Sequence, residues 1–259
     1  MDGRFPIASS QNRAAGQWLR ANPHRLHLGR IGLSLSDSNG KEISLNDLQT
    51  INQSVDLWQG IIQSGFAIEG ETVSVETACH PDIDQISVRI QSKLLQSGQI
   101  GIQFAFPYGS TAWGKNAADW NSPDAHHSDI VSQNDQSVSI KRTLDSDSYF
   151  TDIHWSGNAT FTQKEKHTFS LSITDTGPFE FSARFSKTNS DTAVPLVSDT
   201  FHASKTHWQN FWESGGAVDL SLSKDSRAQE LERRIVLSQY LTAVQCRGEL
   251  PPSETGRET

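Results

Sequence analysis

The sequence predicts a mainly β fold, an antiparallel sandwich followed by one C-terminal linker helix. Three observations carry this. Apolar residues alternate with period two in run after run between Leu26 and Phe185. Turn signals separate the runs, among them Asp37-Ser38-Asn39-Gly40, Glu69-Gly70, Gln96-Ser97-Gly98-Gln99 and Asp175-Thr176-Gly177-Pro178. No segment of helical period interrupts them before Asp225, which disfavours a parallel βαβ sheet.

The elements follow in order. Residues 1–21 are polar and irregular, with Trp18 their one large anchor. Leu26 and Leu28, then Ile31, Leu33 and Leu35, read as a strand that slips by one residue at Gly29-Arg30, the mark of a bulge. Val55–Ile62 and Thr72–Cys79 are further strand candidates. Ile86, Val88 and Ile90 alternate, as do Ile100, Ile102, Phe104 and Phe106, and the two runs read as an antiparallel hairpin. Pro107–Asp135 breaks the pattern and reads as a long loop, of a length that is usually functional or disordered. Strand signals resume at Val138 and Ile140, at Tyr149–Trp155, at Phe169, Leu171 and Ile173, and at Phe179, Phe181 and Phe185. Nine or ten strands at this spacing suggest a sandwich.

The helix is expected from Asp225 to about Cys246. Ser226 and Gln229 have capping-box spacing, and Ala228, Leu231, Ile235 and Leu241 form an apolar stripe with Val244 beside it. Gly248 stops it, with Pro251 and Pro252 beyond. Trp208, Phe211 and Trp212, ahead of Gly215-Gly216, are expected to anchor the preceding linker to the sandwich by ordinary burial.

The chain has 259 residues, enough for a core without staples, and a formal net charge of −8. That charge disfavours a nucleic-acid partner, whose affinity comes from clustered Lys and Arg. Cys79 and Cys246 lie far apart and read as two free thiols. No run is long enough to span a bilayer and none resembles a signal peptide, so the expectation is a soluble cytoplasmic protein without a membrane partner. The sequons at Asn52 and Asn158 are then chance matches.

Few residues offer chemistry. His126-His127 and Asp129 are metal-ligand types, but adjacent histidines point apart in an extended chain, so a polar loop is the better reading and no metal or other cofactor is expected. His24 and His27 have no evident orienting partner. Asp82 and Asp84 read as turn residues. Trp113 and Trp120 lie in the long loop, where a core role is disfavoured, and aromatic rings stack on the apolar faces of sugars. They are the candidate carbohydrate-binding residues.

Several blocks are distinctive: Asn22-Pro23-His24-Arg25-Leu26-His27-Leu28-Gly29-Arg30-Ile31-Gly32-Leu33, then Thr50–Gly60, Thr77-Ala78-Cys79-His80-Pro81, Trp212–Leu220 and Arg233–Leu241. Together they resemble the six-hairpin glycosidase superfamily, and more narrowly proteins related to glycoside hydrolase family 65. The resemblance runs from about Asn22 to Gly256 and fades at Arg257-Glu258-Thr259. It implies a galactose-mutarotase-like super-sandwich over residues 1–205, a linker over 206–224, and the first helix of an (α/α)6 barrel over 225–259, with the catalytic barrel itself missing from this chain. It further implies a parent that hydrolyses or phosphorolyses glycosidic bonds. No position here matches a catalytic acid of the family, so no catalytic residue is assigned. Glu254 lies in the segment approaching the family's sugar subsite, which implies a substrate-side role; as plain sequence it is a loop carboxylate near a chain end. Three roles stay open: part of an enzyme, a free-standing carbohydrate-binding module, or a structural domain that shapes a cleft or forms a dimer.

Overall fold

A computed structural model of the chain describes residues 26–110, 116–189 and 193–248. It is mainly β, and every named strand pair is antiparallel. The strands in chain order are β1 (Arg30–Leu35), β2 (Gln49–Asp56), β3 (Ile61–Ile68), β4 (Glu71–Cys79), β5 (Gln85–Gln91), β6 (Ile100–Ala105), β7 (Tyr108–Gly109) and β8 (Ala118–Asp119). They continue with β9 (His126–Asn134), β10 (Ser137–Leu144), β11 (Asp147–Ser156), β12 (Ala159–Glu165), β13 (Thr168–Ile173) and β14 (Phe179–Ser186). Two helices follow, α1 (Val197–Phe211) and α2 (Ala228–Gln245), and the five-residue π turn Trp212–Gly216 continues directly from α1.

Eight strands form one sheet in the order β2-β3-β4-β5-β14-β11-β10-β9, and four form a second in the order β1-β6-β13-β12. The predicted alternation fills the space between them. Ile102 on β6 lies opposite Leu33 on one side and Leu171 on the other. Val88, Ile90, Phe179, Phe181 and Ala183 meet that layer from the larger sheet, and all are buried. Phe104 takes Phe181 edge-on, with centroids 5.9 Å apart.

The intervening residues on β5 and β14 point to the other face of the larger sheet, and they are polar. Ser87 and Ser182 share a buried hydrogen bond of 2.7 Å. Gln85 Nε2 donates to Thr200 Oγ1 at 2.8 Å and to the Pro195 carbonyl at 3.1 Å, which docks the start of α1. Ser204 Oγ donates to the carbonyls of Gln59 and Gly60. At the far side of this face Asp152 and Arg184 form an ion pair of 2.8 Å with both side chains only 9% exposed.

The structure corrects several sequence expectations. The Val55–Ile62 candidate spans a turn at residues 57–60, made by the Asp56 carboxylate accepting from the backbone of Trp58 and Gln59. β5 and β6 do not pair as a hairpin. They belong to different sheets, because buried Leu94 and Leu95 form a short 3-10 turn that carries the chain across the core. The end of the expected Pro107–Asp135 loop is strand β9, hidden from period-two reading because it is a sheet edge with only His126 buried. β12 was also missed, since it buries Phe161 alone. The expectation of a single long helix, beginning near Asp225, fails, because α1 precedes it. α1 buries Val197, Thr200 and Ser204, and two hydroxyl side chains in its stripe leave no apolar period to read. Finally, Leu26–Gly29 lies outside β1, so the bulged first strand is shorter than expected.

Candidate functional site

Two places gather unusual side chains. The first is a groove of about 840 Å³ between α1, the π turn and α2. Trp208 and Phe211 wall one side, Thr242 and Val244 the other, and Cys79, His80 and Pro81 close it at the end of β4. The aromatic anchors expected of the linker are there. Trp212 is buried and donates its indole N–H to the Leu57 carbonyl at 2.6 Å. Trp208 lies against Gly60, whose positive φ of 67° makes room: an added Cβ would sit 2.0 Å from the indole. Tyr240 of α2 reaches Trp208 at 5.0 Å between centroids.

Electrostatically the groove is apolar with one cationic end. Arg247 donates to the Pro81 carbonyl at 2.6 Å and approaches Asp82 at 3.4 Å and His207 Nε2 at 3.3 Å. Burial and the Arg247 charge push the His207 pKa down. Burial, with Asp84 nearby, pushes the Cys79 thiol up, so it stays protonated and a poor nucleophile. Cys79 and Cys246 are both free, as expected. Among the described residues no Asp or Glu lines the groove.

The second place is the end of the sandwich around Trp120. Of the predicted carbohydrate-binding residues, Trp113 and Glu254 lie outside the described residues, as do His24 and Trp18. Trp120 is 40% exposed. The Arg30 guanidinium lies 4.7 Å from its ring centroid, and His27 meets it edge-on at 6.0 Å. The ring is therefore a partly covered platform with a cation on it.

Behind that loop lies a cluster the sequence reading missed. Arg142, which β10 turns inward, is fully buried. It donates to the carbonyls of His127 and Pro107, to Ser128 Oγ, and to His126 Nδ1 at 2.6 Å. His126 stacks on His167 at 3.7 Å, and His167 bonds Ser128 Oγ and the Pro123 carbonyl, both at 2.7 Å. Burial and the neighbouring Arg142 lower the His126 pKa to about 4. These contacts tie residues on both sides of Trp120 to the core. The one available signal was Arg142 standing at the alternating position after Val138 and Ile140. The candidate metal ligands separate, with His126 buried, His127 and Asp129 exposed, and no metal-holding group of three or more His, Cys, Asp or Glu among the described residues.

No protein-family model and no curated protein sequence matches the chain. Solved structures do. A protein described as a kojibiose phosphorylase, from the human microbiome, superposes on 83% of this chain and 32% of its own, with a TM-score of 0.50 and 10% identity. The fold is similar to that third of the phosphorylase. A bacterial glucoamylase, complexed with acarbose, matches over 72% of this chain and 32% of its own, at TM-score 0.49 and 9% identity. This chain thus spans about a third of the length of either protein. Among the described residues no helix is long and apolar enough to cross a membrane.

Proposed function

We propose that this chain is the β-sandwich part of a carbohydrate-active enzyme of the six-hairpin type, and that it has no glycosidic-bond chemistry of its own. The fold likeness to the kojibiose phosphorylase, over most of this chain and a third of that one, is the observation that supports the reading. α2 fits it. None of its residues is buried, and Leu231, Leu237, Leu241 and Val244 are 40–52% exposed. An amphipathic helix gains most of its stability from a packed apolar face, and this face has a natural use as a seat for a helical catalytic domain. The apolar groove beside it extends the same surface.

The test is the transcript. Sequencing through the Thr259 codon is expected to show an open frame continuing into successive amphipathic helices with carboxylates in their connections. A stop codon there overturns the proposal. A second reading, a free-standing glycan-binding module, draws on the exposed Trp120 ring. It predicts retention on immobilised glycans by the chain alone that Trp120→Ala removes.

A further inference from the structure

The four edges of the two large sheets differ in one respect. β1 carries Arg30, β9 carries Asp129, and β12 carries Lys164 and Glu165. Charges on edge strands are a common guard against pairing with another chain. β2 has no such guard. The seven residues from Gln49 to Val55 are uncharged and contain no proline, and all seven are exposed. Asp56, the last residue, is already engaged by the backbone of Trp58 and Gln59 and by Gln59 Nε2. β2 pairs with β3 on one side, and on its other side its backbone has no hydrogen-bond partner among the described residues. Ile51 and Val55 are 63% and 41% exposed, and Ile62, paired with Val55, is 39% exposed. An unpaired backbone edge selects its own occupant, because only an extended strand matches its row of N–H and C=O groups.

We infer that β2 pairs antiparallel with β2 of a second copy, about a two-fold axis at Gln53. The sequence Ile51-Asn52-Gln53-Ser54-Val55 is self-complementary in that register. Ile51 faces Val55, Asn52 faces Ser54, Gln53 faces its own copy, and the same relations hold in the other half, as an isologous contact requires. Ile51, Val55 and the central Gln53 pair fall on one face of the joined sheet, next to Ile62, and the Asn52–Ser54 pairs on the other. Each chain carries a net charge of −8, so most of its surface repels a second copy. The uncharged edge is where two copies meet without opposed charges. The ladder ends itself: the register with β3 shifts between Gln49 and Asn52, and Thr50 there has a positive φ of 49°. The product is a continuous sheet of sixteen strands, twice the eight of one copy.

The test uses the purified chain in sedimentation velocity over a concentration series. A reversible dimer is expected. Gln53→Lys places two like charges directly opposite at the axis and is expected to weaken the dimer roughly tenfold or more. Circular dichroism checks that this exposed variant stays folded. With Cys79→Ser and Cys246→Ser in the background, Gln53→Cys is expected to cross-link to its own copy under mild oxidation, since facing residues on paired strands lie within disulfide reach. Ile51→Cys alone is not, while Ile51→Cys with Val55→Cys is. A monomer at every concentration overturns the inference. So does a dimer that ignores Gln53→Lys, or one in which Ile51→Cys alone links as readily as Gln53→Cys; either places the contact elsewhere, such as on α2.

Discussion

The Arg142 guanidinium donates to the Nδ1 of His126 at 2.6 Å, and no carboxylate forms a salt bridge with Arg142 among the described residues. A buried cation ordinarily requires an acid. Here carbonyls and neutral imidazole nitrogens take that place. The acceptors belong to Pro107 and to the start of β9, so the guanidinium fastens the chain segments that flank Trp120. Arg142→Met keeps the stem and removes the donors. It leaves the His127 and Pro107 carbonyls and His126 Nδ1 without their shared partner. The Pro107 carbonyl and His126 Nδ1 are buried and cost about 1–3 kcal/mol each, and the part-buried His127 carbonyl adds less, so a loss of about 3 kcal/mol or more in urea unfolding is expected. A loss below about 1 kcal/mol contradicts this account of the cluster.

The same contact sets a pH dependence. His126 accepts from Arg142 only when its Nδ1 is unprotonated, and its pKa lies near 4 rather than 6.5. The folded state therefore binds the proton less readily than the unfolded chain. Stability is full above the unfolded pKa of 6.5 and falls as pH drops from 6.5 toward 4. The groups facing His126 reinforce the sign. Arg142, His167, Lys166 and His127 all disfavour its protonation, and Asp119 is the nearby acid that opposes them. His126→Gln offers an amide oxygen to Arg142 and does not titrate. In paired unfolding curves it is expected to lose less stability over this interval than the parent, by on the order of 2 kcal/mol. Equal slopes for the two proteins sink the idea.

Much of the fold was legible because burial wrote it into period-two alternation. Ile100, Ile102 and Phe104 are at most 1% exposed, and Phe179 and Phe181 at most 2%, where alternation placed them, while Phe185 is only partly buried. The reading failed where packing is polar or one-sided. α1 docks through Thr200 and Ser204 onto Gln85 and the Gly60 turn, so its stripe is not apolar. β2 and β9 are exposed edges, which show no alternation of burial. Of the site, Trp120 was legible as an aromatic outside the core. Arg142 was not, because its partners come from three separate segments that only the fold brings together.

Gly60 gives a sharper packing test. It sits at φ 67° with Trp208 Cδ1 and Ser204 Oγ where a Cβ would go, at 2.0 and 2.7 Å. Gly60→Ala meets both a backbone penalty and a clash with α1. A loss of roughly 2–4 kcal/mol is expected, with a change in tryptophan fluorescence as Trp208 moves. Gly40, also at positive φ but with nothing within 4 Å of an added Cβ, isolates the backbone part. Gly40→Ala is expected to cost only about 1 kcal/mol. Equal costs at the two sites show that α1 is not packed on the turn.

The last prediction concerns α2, whose apolar stripe was expected from the spacing of Ala228, Leu231, Ile235 and Leu241. Tyr240 touches Trp208 and Arg247 touches Pro81, but no residue of the helix is buried. Leu231 and Leu241 are 52% and 49% exposed. Their replacement by lysine is then a surface change for this chain. Leu231→Lys with Leu241→Lys is expected to shift its unfolding free energy by no more than about 0.5 kcal/mol per site, and its solubility is expected to rise. The amides of Ala228–Gln245 are expected to exchange far faster than those of Ile100–Ala105, because a helix with little tertiary packing opens locally. In an assembly where a helical domain covers the stripe, the same pair of changes exposes a charge to an apolar contact at each site. There the expected loss is several kcal/mol. Measuring both proteins separates the cases. A loss above about 2 kcal/mol in this chain alone means that the stripe is already docked, and the argument that α2 awaits a helical partner then has no physical basis.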